Sequence, residues 1–377
     1  DGALAGAVAG GELSGGAGKA RGPGLRLCRW VSCLSLGAMQ RRLKPVSSLL
    51  VVFGLWAMAW PVGGAVAPYV MADYVGRFAL TLPDGGAGWL GITWTNGQMV
   101  GEIMWGAGSV VPVASVSVEG DKLVVTRVHE RKERGSDGRE VTIQEREVLE
   151  GRWVGDRLEM TTRRQTREGW SEPQRFTGRR IPPLPPRPDL SRVRFGEPVV
   201  LFNGRDLTGW RPFGGQNGWR VADGLLINDA PQPPGRHINY ANLRTEREFE
   251  DFHLTLELRL PPNGNSGIYL RGIYEVQVAD SYGRPPSAHG MGAIYSRIAP
   301  SENASKPAGE WQRYEITLVD RHVTVILNGR KIIDNQPLLG CTGGALWSDE
   351  LRPGPIYLQG DHTSVEYRNL VLRPVLK

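Results

Sequence analysis

From Phe252 to Leu260 the chain reads Phe-His-Leu-Thr-Leu-Glu-Leu-Arg-Leu, with a large apolar side chain at every second position. Successive residues of a strand point to opposite faces, so an extended chain gathers Phe252, Leu254, Leu256, Leu258 and Leu260 on one side. A helix would scatter the same residues around its circumference. A strand of this kind rests on a core with its apolar face and turns a polar face outward. The same alternation recurs between turn signals: Ala222-Asp223-Gly224 within Gly218–Asn228, Asn328-Gly329 after His322–Leu327, and the flanking runs Val199–Phe202, Arg313–Leu318, Gly354–Gln359 and Val365–Leu372. No amphipathic helix interrupts them. About twelve short strands over residues 198–377 predict an all-β, two-sheet sandwich.

The stretch Asn265–Asp280 carries the chemistry. It predicts two strands broken at Gly272. Glu275 and Gln277 share one face of the second strand, opposite Tyr274, Val276 and Val278. Tyr269 and Arg271 form a similar pair on the first, opposite Ile268 and Leu270. A carboxylate, an amide, a guanidinium and a phenol on one patch of sheet suit sugar recognition. Planar polar groups serve hydroxyls and a ring serves the apolar sugar face. The plainer reading is a solvated outer face, in which Glu275 and Arg271 only pair with each other.

Residues 70–177 predict a separate small β-domain. Gly76–Leu82, Gly88–Trp94 and Gln98–Trp105 alternate around Pro83-Asp84-Gly85-Gly86 and Asn96-Gly97 turns. Val110–Val118, Lys122–Val128, Val141–Val154 and Arg157–Arg163 continue the meander, with His129–Arg139 as a solvated, charged excursion. Seven or eight strands of this kind fit an up-and-down barrel or half-barrel. Trp89, Trp94, Trp105 and Trp153 read as core and hairpin anchors. No catalytic constellation is visible here. Residues 178–197 begin with five prolines in eleven residues and predict an extended, semi-rigid linker.

The first 38 residues are rich in Gly and Ala and precede the first methionine, Met39, so they read as an extension upstream of the true start. Residues 39–67 read as a secretory signal peptide. Arg41, Arg42 and Lys44 are followed by an apolar run, Ser48–Trp60, and by small residues suited to cleavage after Ala65. That run of about 13 residues is short of the ~20 that a spanning helix needs. The expectation is export to a bacterial periplasm or the exterior, with no membrane span after cleavage. Residues 1–67 hold seven Lys or Arg and two acids, so of the formal +6 only about +1 belongs to the rest, which removes the electrostatic case for nucleic acid. Cys341 is the one cysteine after residue 67, which excludes an intramolecular disulfide there and a multi-cysteine metal site. It reads as a small buried hydrophobe.

Several segments resemble the 3-keto-disaccharide hydrolase domain family, in order over residues 198–377. They are Leu201–Trp210 (LFNGRDLTGW), Asn265–Gly272, Tyr274–Asp280, Ala308–Gln312, Leu327–Gly329, and Gly354–Leu370 with its GPIYLQGDH run. The resemblance implies a concanavalin A-like jelly roll with a sugar site on its concave face, and hydrolysis of glycosides already oxidised at C3. A 3-keto group acidifies the C2 proton, so one base, a group to stabilise the enolate and a proton source suffice. On that reading Glu275 is the base, Arg271 or His362 stabilises the enolate, and His362 alternatively protonates the leaving oxygen. Gln277 and Gln359 hold hydroxyls, and Tyr269 and Trp210 stack on the ring. Asp280 and Arg368 are further substrate-binding candidates, with Asp280 and His289 flanking a rim loop, Ser281–Gly292.

Each candidate has a plainer reading: Trp210 in the core, His362 solvated in its loop, Arg368 paired with Glu366. No cofactor is assigned. A divalent ion such as calcium is left open, with Asn263 and Asn265, or His289, His362 and Asp361, as the groups available and too few carboxylates to assign it. The alternatives to the enzyme are a non-catalytic, lectin-like carbohydrate-binding module and an ordinary two-carboxylate glycosidase.

Overall fold

The computed structural model describes residues 71–134 and 139–376. The expected extension and signal peptide lie outside the described residues. All three sheets are antiparallel and fall within one compact unit.

The first sheet has ten strands. Eight make its meander: Gly76–Thr81, Ala87–Thr95, Gln98–Trp105, Ser115–Glu119, Lys122–Arg134, Glu140–Val154, Arg157–Thr166 and Gln174–Arg180. The strand Gly76–Thr81 pairs with the last, Gln174–Arg180. The amides of Val113 and Ala114 donate to the carbonyls of Gly101 and Thr126, at 2.9 and 2.8 Å, and draw the two ends of the path together. The sheet therefore curls around its own core, in which Phe78, Leu80, Leu90, Ile103, Leu123 and Leu149 are buried. The expected charged loop after His129 is instead part of a long hairpin, with Leu123 to Arg134 paired residue by residue with Gly151 to Glu140. Cross-strand charge makes this possible. Glu147 is buried and accepts from Arg127, His129 and Thr162 at 2.8, 2.9 and 2.9 Å. His129 is thus part of a buried polar cluster and not a solvated loop residue.

The second half is a jelly-roll sandwich of an eight-stranded and a five-stranded sheet. In the Phe252–Arg259 strand burial alternates residue by residue, and the five predicted inward side chains are all buried. Their faces meet Ile268, Val276 and Leu358 of the smaller sheet in one core. The smaller sheet runs Trp210–Phe213, Asn242–Thr245, Tyr357–Leu358, Asn265–Leu270, Tyr274–Ala279.

The two halves share that core, because Ala87, Trp89 and Met104 of the first sheet belong to it. The Arg297 guanidinium stacks over Trp89 at 4.4 Å, and the Cys341 thiol lies 3.9 Å from the Gly88 carbonyl. The proline-rich segment has no regular secondary structure between the strand ending at Arg180 and the 3-10 turn at Leu190–Arg192, and it is clamped in place. Arg321 donates to the carbonyls of Pro182 and Pro183, Arg77 to that of Pro182, and Asn335 to that of Pro188. Proline segments lack amide donors, so their free carbonyls are natural partners for guanidinium groups.

Replacing Trp89 with Ala removes the largest side chain bridging the halves, at a cost of about 3–5 kcal/mol. The expected result is a lower midpoint in thermal or urea unfolding, with the two halves melting separately by near- and far-ultraviolet circular dichroism. A single transition at the wild-type midpoint would mean the bridge carries no stability.

Candidate active site

The smaller sheet places its functional side chains by register. Tyr357 lies opposite Tyr269, and Tyr269 opposite Glu275. Residues 293–295 extend the sheet beyond Glu275: Val276 pairs with Ile294, the Tyr295 amide donates to the Glu275 carbonyl, and the Gln277 amide to the Ala293 carbonyl. Directly opposed residues share a face. One row therefore runs Tyr357, Tyr269, Glu275, Tyr295. The next runs Gln359, Gly267, Gln277, Ala293, joined by the Gln359 amide donating to the Gly267 carbonyl at 2.9 Å. Ile268, Val276, Ile294 and Leu358 point the other way, into the sandwich core.

This face is roofed, where the sequence reading expected it open. Glu275 is 3% exposed, Gln277 5% and Tyr269 1%. The segment Thr342–Gly344 crosses over it. Thr342 accepts the Glu275 amide at 2.9 Å, the Tyr269 hydroxyl lies 2.7 Å from the Gly343 carbonyl, and the Tyr357 hydroxyl donates to that of Gly344 at 3.0 Å.

Burial sets the chemistry. Loss of water pushes the Glu275 carboxyl up to about 8, against the hydrogen bond from the Tyr269 hydroxyl at 2.9 Å, and the charge of Asp361 pushes the same way. Burial likewise holds the Tyr269 and Tyr357 phenols well above their ordinary value. At neutral pH burial therefore favours the neutral acid form of Glu275. A methyl group on Gly267 would sit against the Glu275 carboxylate, so the absent side chain is what leaves the carboxyl its place. Beside it, the side-chain oxygens of Gln277 and Gln359 are buried with no hydrogen-bond partner. An unpaired buried acceptor is costly, and two in one row mark where ligand hydroxyls would donate. The Gln277 amide nitrogen is anchored on Asn265 at 2.9 Å.

Of the residues expected from sequence, Glu275, Tyr269, Gln277 and Gln359 come together here. Asp361 and His362 lie two and three residues beyond Gln359, in a half-buried loop with 3.7 Å between the imidazole and carboxylate. Asp361 is near enough to act on Glu275 and Tyr357 electrostatically.

Others go elsewhere. Arg271 has a positive φ of 55°, which breaks the strand alternation and turns its guanidinium to the carbonyls of Glu350 and Arg352. It is a structural clamp and not a partner of Glu275. Trp210 is core, with its indole donating to the Leu201 carbonyl. The Asp280 carboxylate accepts the Asn263 amide and holds that turn. Arg368 belongs to the larger sheet, paired with Glu257 at 2.6 Å and stacked over Trp311 at 3.9 Å. Its expected partner, Glu366, binds Arg259 instead. Tyr269 does not offer a free ring, since Tyr357 stacks on it at 3.8 Å. Sequence reasoning missed Tyr357, Tyr295 and Gly267. Tyr357 was legible as the residue two before Gln359, whereas Tyr295 joins the face through a bridge outside any regular strand. Among the described residues no three His, Cys, Asp or Glu side chains converge on a metal position.

Residues 197–373 match the 3-keto-alpha-glucoside-1,2-lyase-like domain family. A 3-keto-disaccharide hydrolase from Bacteroides thetaiotaomicron is 24% identical over 166 residues, 36% of this chain and 57% of that protein. The chain thus spans little more than half the length of this curated relative. A protein of Parabacteroides distasonis described as a candidate glycosyl hydrolase is 31% identical. That alignment covers 52% of this chain and 93% of that one, at a TM-score of 0.39. A second from the same organism is 22% identical over 48% and 94%, at a TM-score of 0.37.

The buried carboxyl makes stability depend on pH. Its folded value of about 8 exceeds the ordinary 4.5, so the folded state holds a proton that the unfolded chain releases. Its contribution is full below about pH 4.5 and falls as pH rises toward 8. Glu275→Gln, measured beside the wild type by urea unfolding at pH 5, 6.5 and 8, should lose that slope and gain relative stability toward pH 8. Parallel curves for the two proteins would show that the carboxyl is not held neutral.

Proposed function

Because residues 197–373 belong to the 3-keto-alpha-glucoside-1,2-lyase-like domain family, we propose that the protein hydrolyses 3-keto-glycosides at the Glu275 row. The observation that carries the reading is a single carboxyl of raised basicity, seated over Gly267 between two amide oxygens that have no partner. The name of the Bacteroides relative supports the substrate class. Two-carboxylate chemistry is the weaker reading, since Asp361, the carboxylate that acts on Glu275 among the described residues, lies in a loop.

The chemistry follows from the order of atoms in the ring. C2 lies between C1 and C3. Glu275, in its ionised form, takes the C2 proton, and the electron pair moves onto the C3 oxygen as an enolate. A base near pKa 8 is better matched to a carbon acid than an ordinary carboxylate. Re-formation of the ketone expels the C1 oxygen and leaves a C1–C2 double bond. Water then adds at C1, the proton returns from Glu275 to C2, and the sum is hydrolysis. With Arg271 committed elsewhere, His362 is the group to meet the enolate oxygen, with Asp361 behind it. Gln277 and Gln359 accept from ring hydroxyls. The signal-like segment of residues 39–67 supports an exported enzyme that meets its glycosides outside the cytoplasm.

A chromogenic 3-keto-glucoside assayed beside the unoxidised glucoside tests this. Turnover of the keto form alone is expected, rising with pH to a plateau above about 8. Glu275→Gln should lose at least ~100-fold in kcat. Turnover of the plain glucoside would favour the two-carboxylate alternative. Binding of sugar without turnover of either would favour a lectin-like module.

A further inference from the structure

The first β-domain reaches the site through the loop between its Gln98–Trp105 and Val111–Pro112 strands. The Gly344 amide meets the Gly106 carbonyl at 3.4 Å. A side chain on Gly343 would strike the carbonyl oxygens of Ala107 and Gly108, both 2.5 Å from where its first carbon would stand. The loop thus lies on the same Thr342–Gly344 segment that roofs Glu275. Next along, the Ser109 hydroxyl is 3.1 Å from His289 Nε2 and 3.4 Å from the Tyr295 hydroxyl, and the Val110 amide donates to Ser296 Oγ at 2.8 Å. Tyr295 is the residue opposite Glu275 in its row, and His289 meets the Tyr295 ring edge-on at 5.0 Å. His289 is solvent-exposed, and Ser109 and Tyr295 are half-buried, so this end of the row opens to water.

The two ends of the site therefore differ. His362 and Asp361 stand beyond Gln359. His289 and Tyr295, joined by Ser109, stand beyond Glu275 at the other end. If C2 lies at Glu275 and the C3 oxygen at His362, then C1 and its departing oxygen face His289. We propose that His289 is the proton donor to the leaving group, and that Ser109 of the first β-domain is the residue that positions it. This rests on the keto-glycoside reading above. The imidazolium gives its proton to the C1 oxygen as the C1–O bond breaks. The neutral ring then takes a proton from the water that adds to C1, which restores it. The Tyr295 ring and the loop carbonyls form the wall against which a second sugar lies. The first domain is then part of the active site and not a separate binding module.

The test compares 3-keto-glucosides with two leaving groups. p-Nitrophenolate departs without protonation, whereas a sugar or methanol does not. His289→Ala should lose 10–100-fold in kcat on the disaccharide or methyl glycoside and little on the p-nitrophenyl substrate. Ser109→Ala should show the same split, smaller, and Ser109→Thr should restore it. Equal losses on both substrates, or none, would overturn the assignment.

A separate readout keeps the wall testable without turnover. Ser109→Trp should abolish calorimetric binding of a disaccharide to the Glu275→Gln protein while leaving binding of a monosaccharide intact. Unchanged disaccharide binding would overturn the wall. A wild type that turns over no keto substrate, but whose disaccharide binding still responds to Ser109→Trp, would sink the keto-glycoside reading and the His289 proton transfer while keeping the wall.

Discussion

A carboxyl group held out of water is the constraint on which the rest of this site depends. Glu275 is held in register by backbone pairing on both sides, and the Thr342–Gly344 segment over its face keeps the carboxyl from solvent. Its neighbours compensate only partly, with one phenol donating and a second phenol stacked behind the first. Burying a charge with so little compensation raises its proton affinity, and the structure accommodates this through the neutral form. Every surrounding choice follows from that requirement: glycine at 267 for space, a roof at 342–344 for exclusion of water, and tyrosines whose hydroxyls are themselves too buried to ionise.

A strand's period of two made much of this legible beforehand. The Phe252–Leu260 alternation and the Asn-Gly turns define the sandwich, and the grouping of Glu275 with Gln277 and Tyr269 follows from the same rule. The rule fails where the backbone leaves the strand. Arg271 sits in the left-handed region at the hairpin turn, so counting by twos put it on the wrong face. Arg368 alternates as expected, but it belongs to the other sheet, and period alone does not say which sheet a strand joins. Tyr295 and Ser109 reach the row through long-range contacts that leave no local pattern. The mixed charges after His129 read as a loop because the pairing of Arg127, His129 and Glu147 spans two strands.

The relation between the two halves was the least visible feature. A run of prolines reads as a spacer, and composition cannot tell a free spacer from one whose carbonyls are gripped by Arg77, Arg321 and Asn335. Nor does Trp89, on an ordinary-looking strand, announce that it belongs to the neighbouring core. Once these contacts form, the loop at 106–109 has a fixed place against the Thr342–Gly344 segment that roofs Glu275.

The thiol of Cys341 lies at the same seam, against the Gly88 carbonyl, wholly buried and pushed up to about 12 by loss of water. A sulfur in that state is inert to alkylating reagents while the seam is shut. Its labelling rate therefore becomes a built-in gauge of how often the halves part, readable by mass spectrometry without altering a residue.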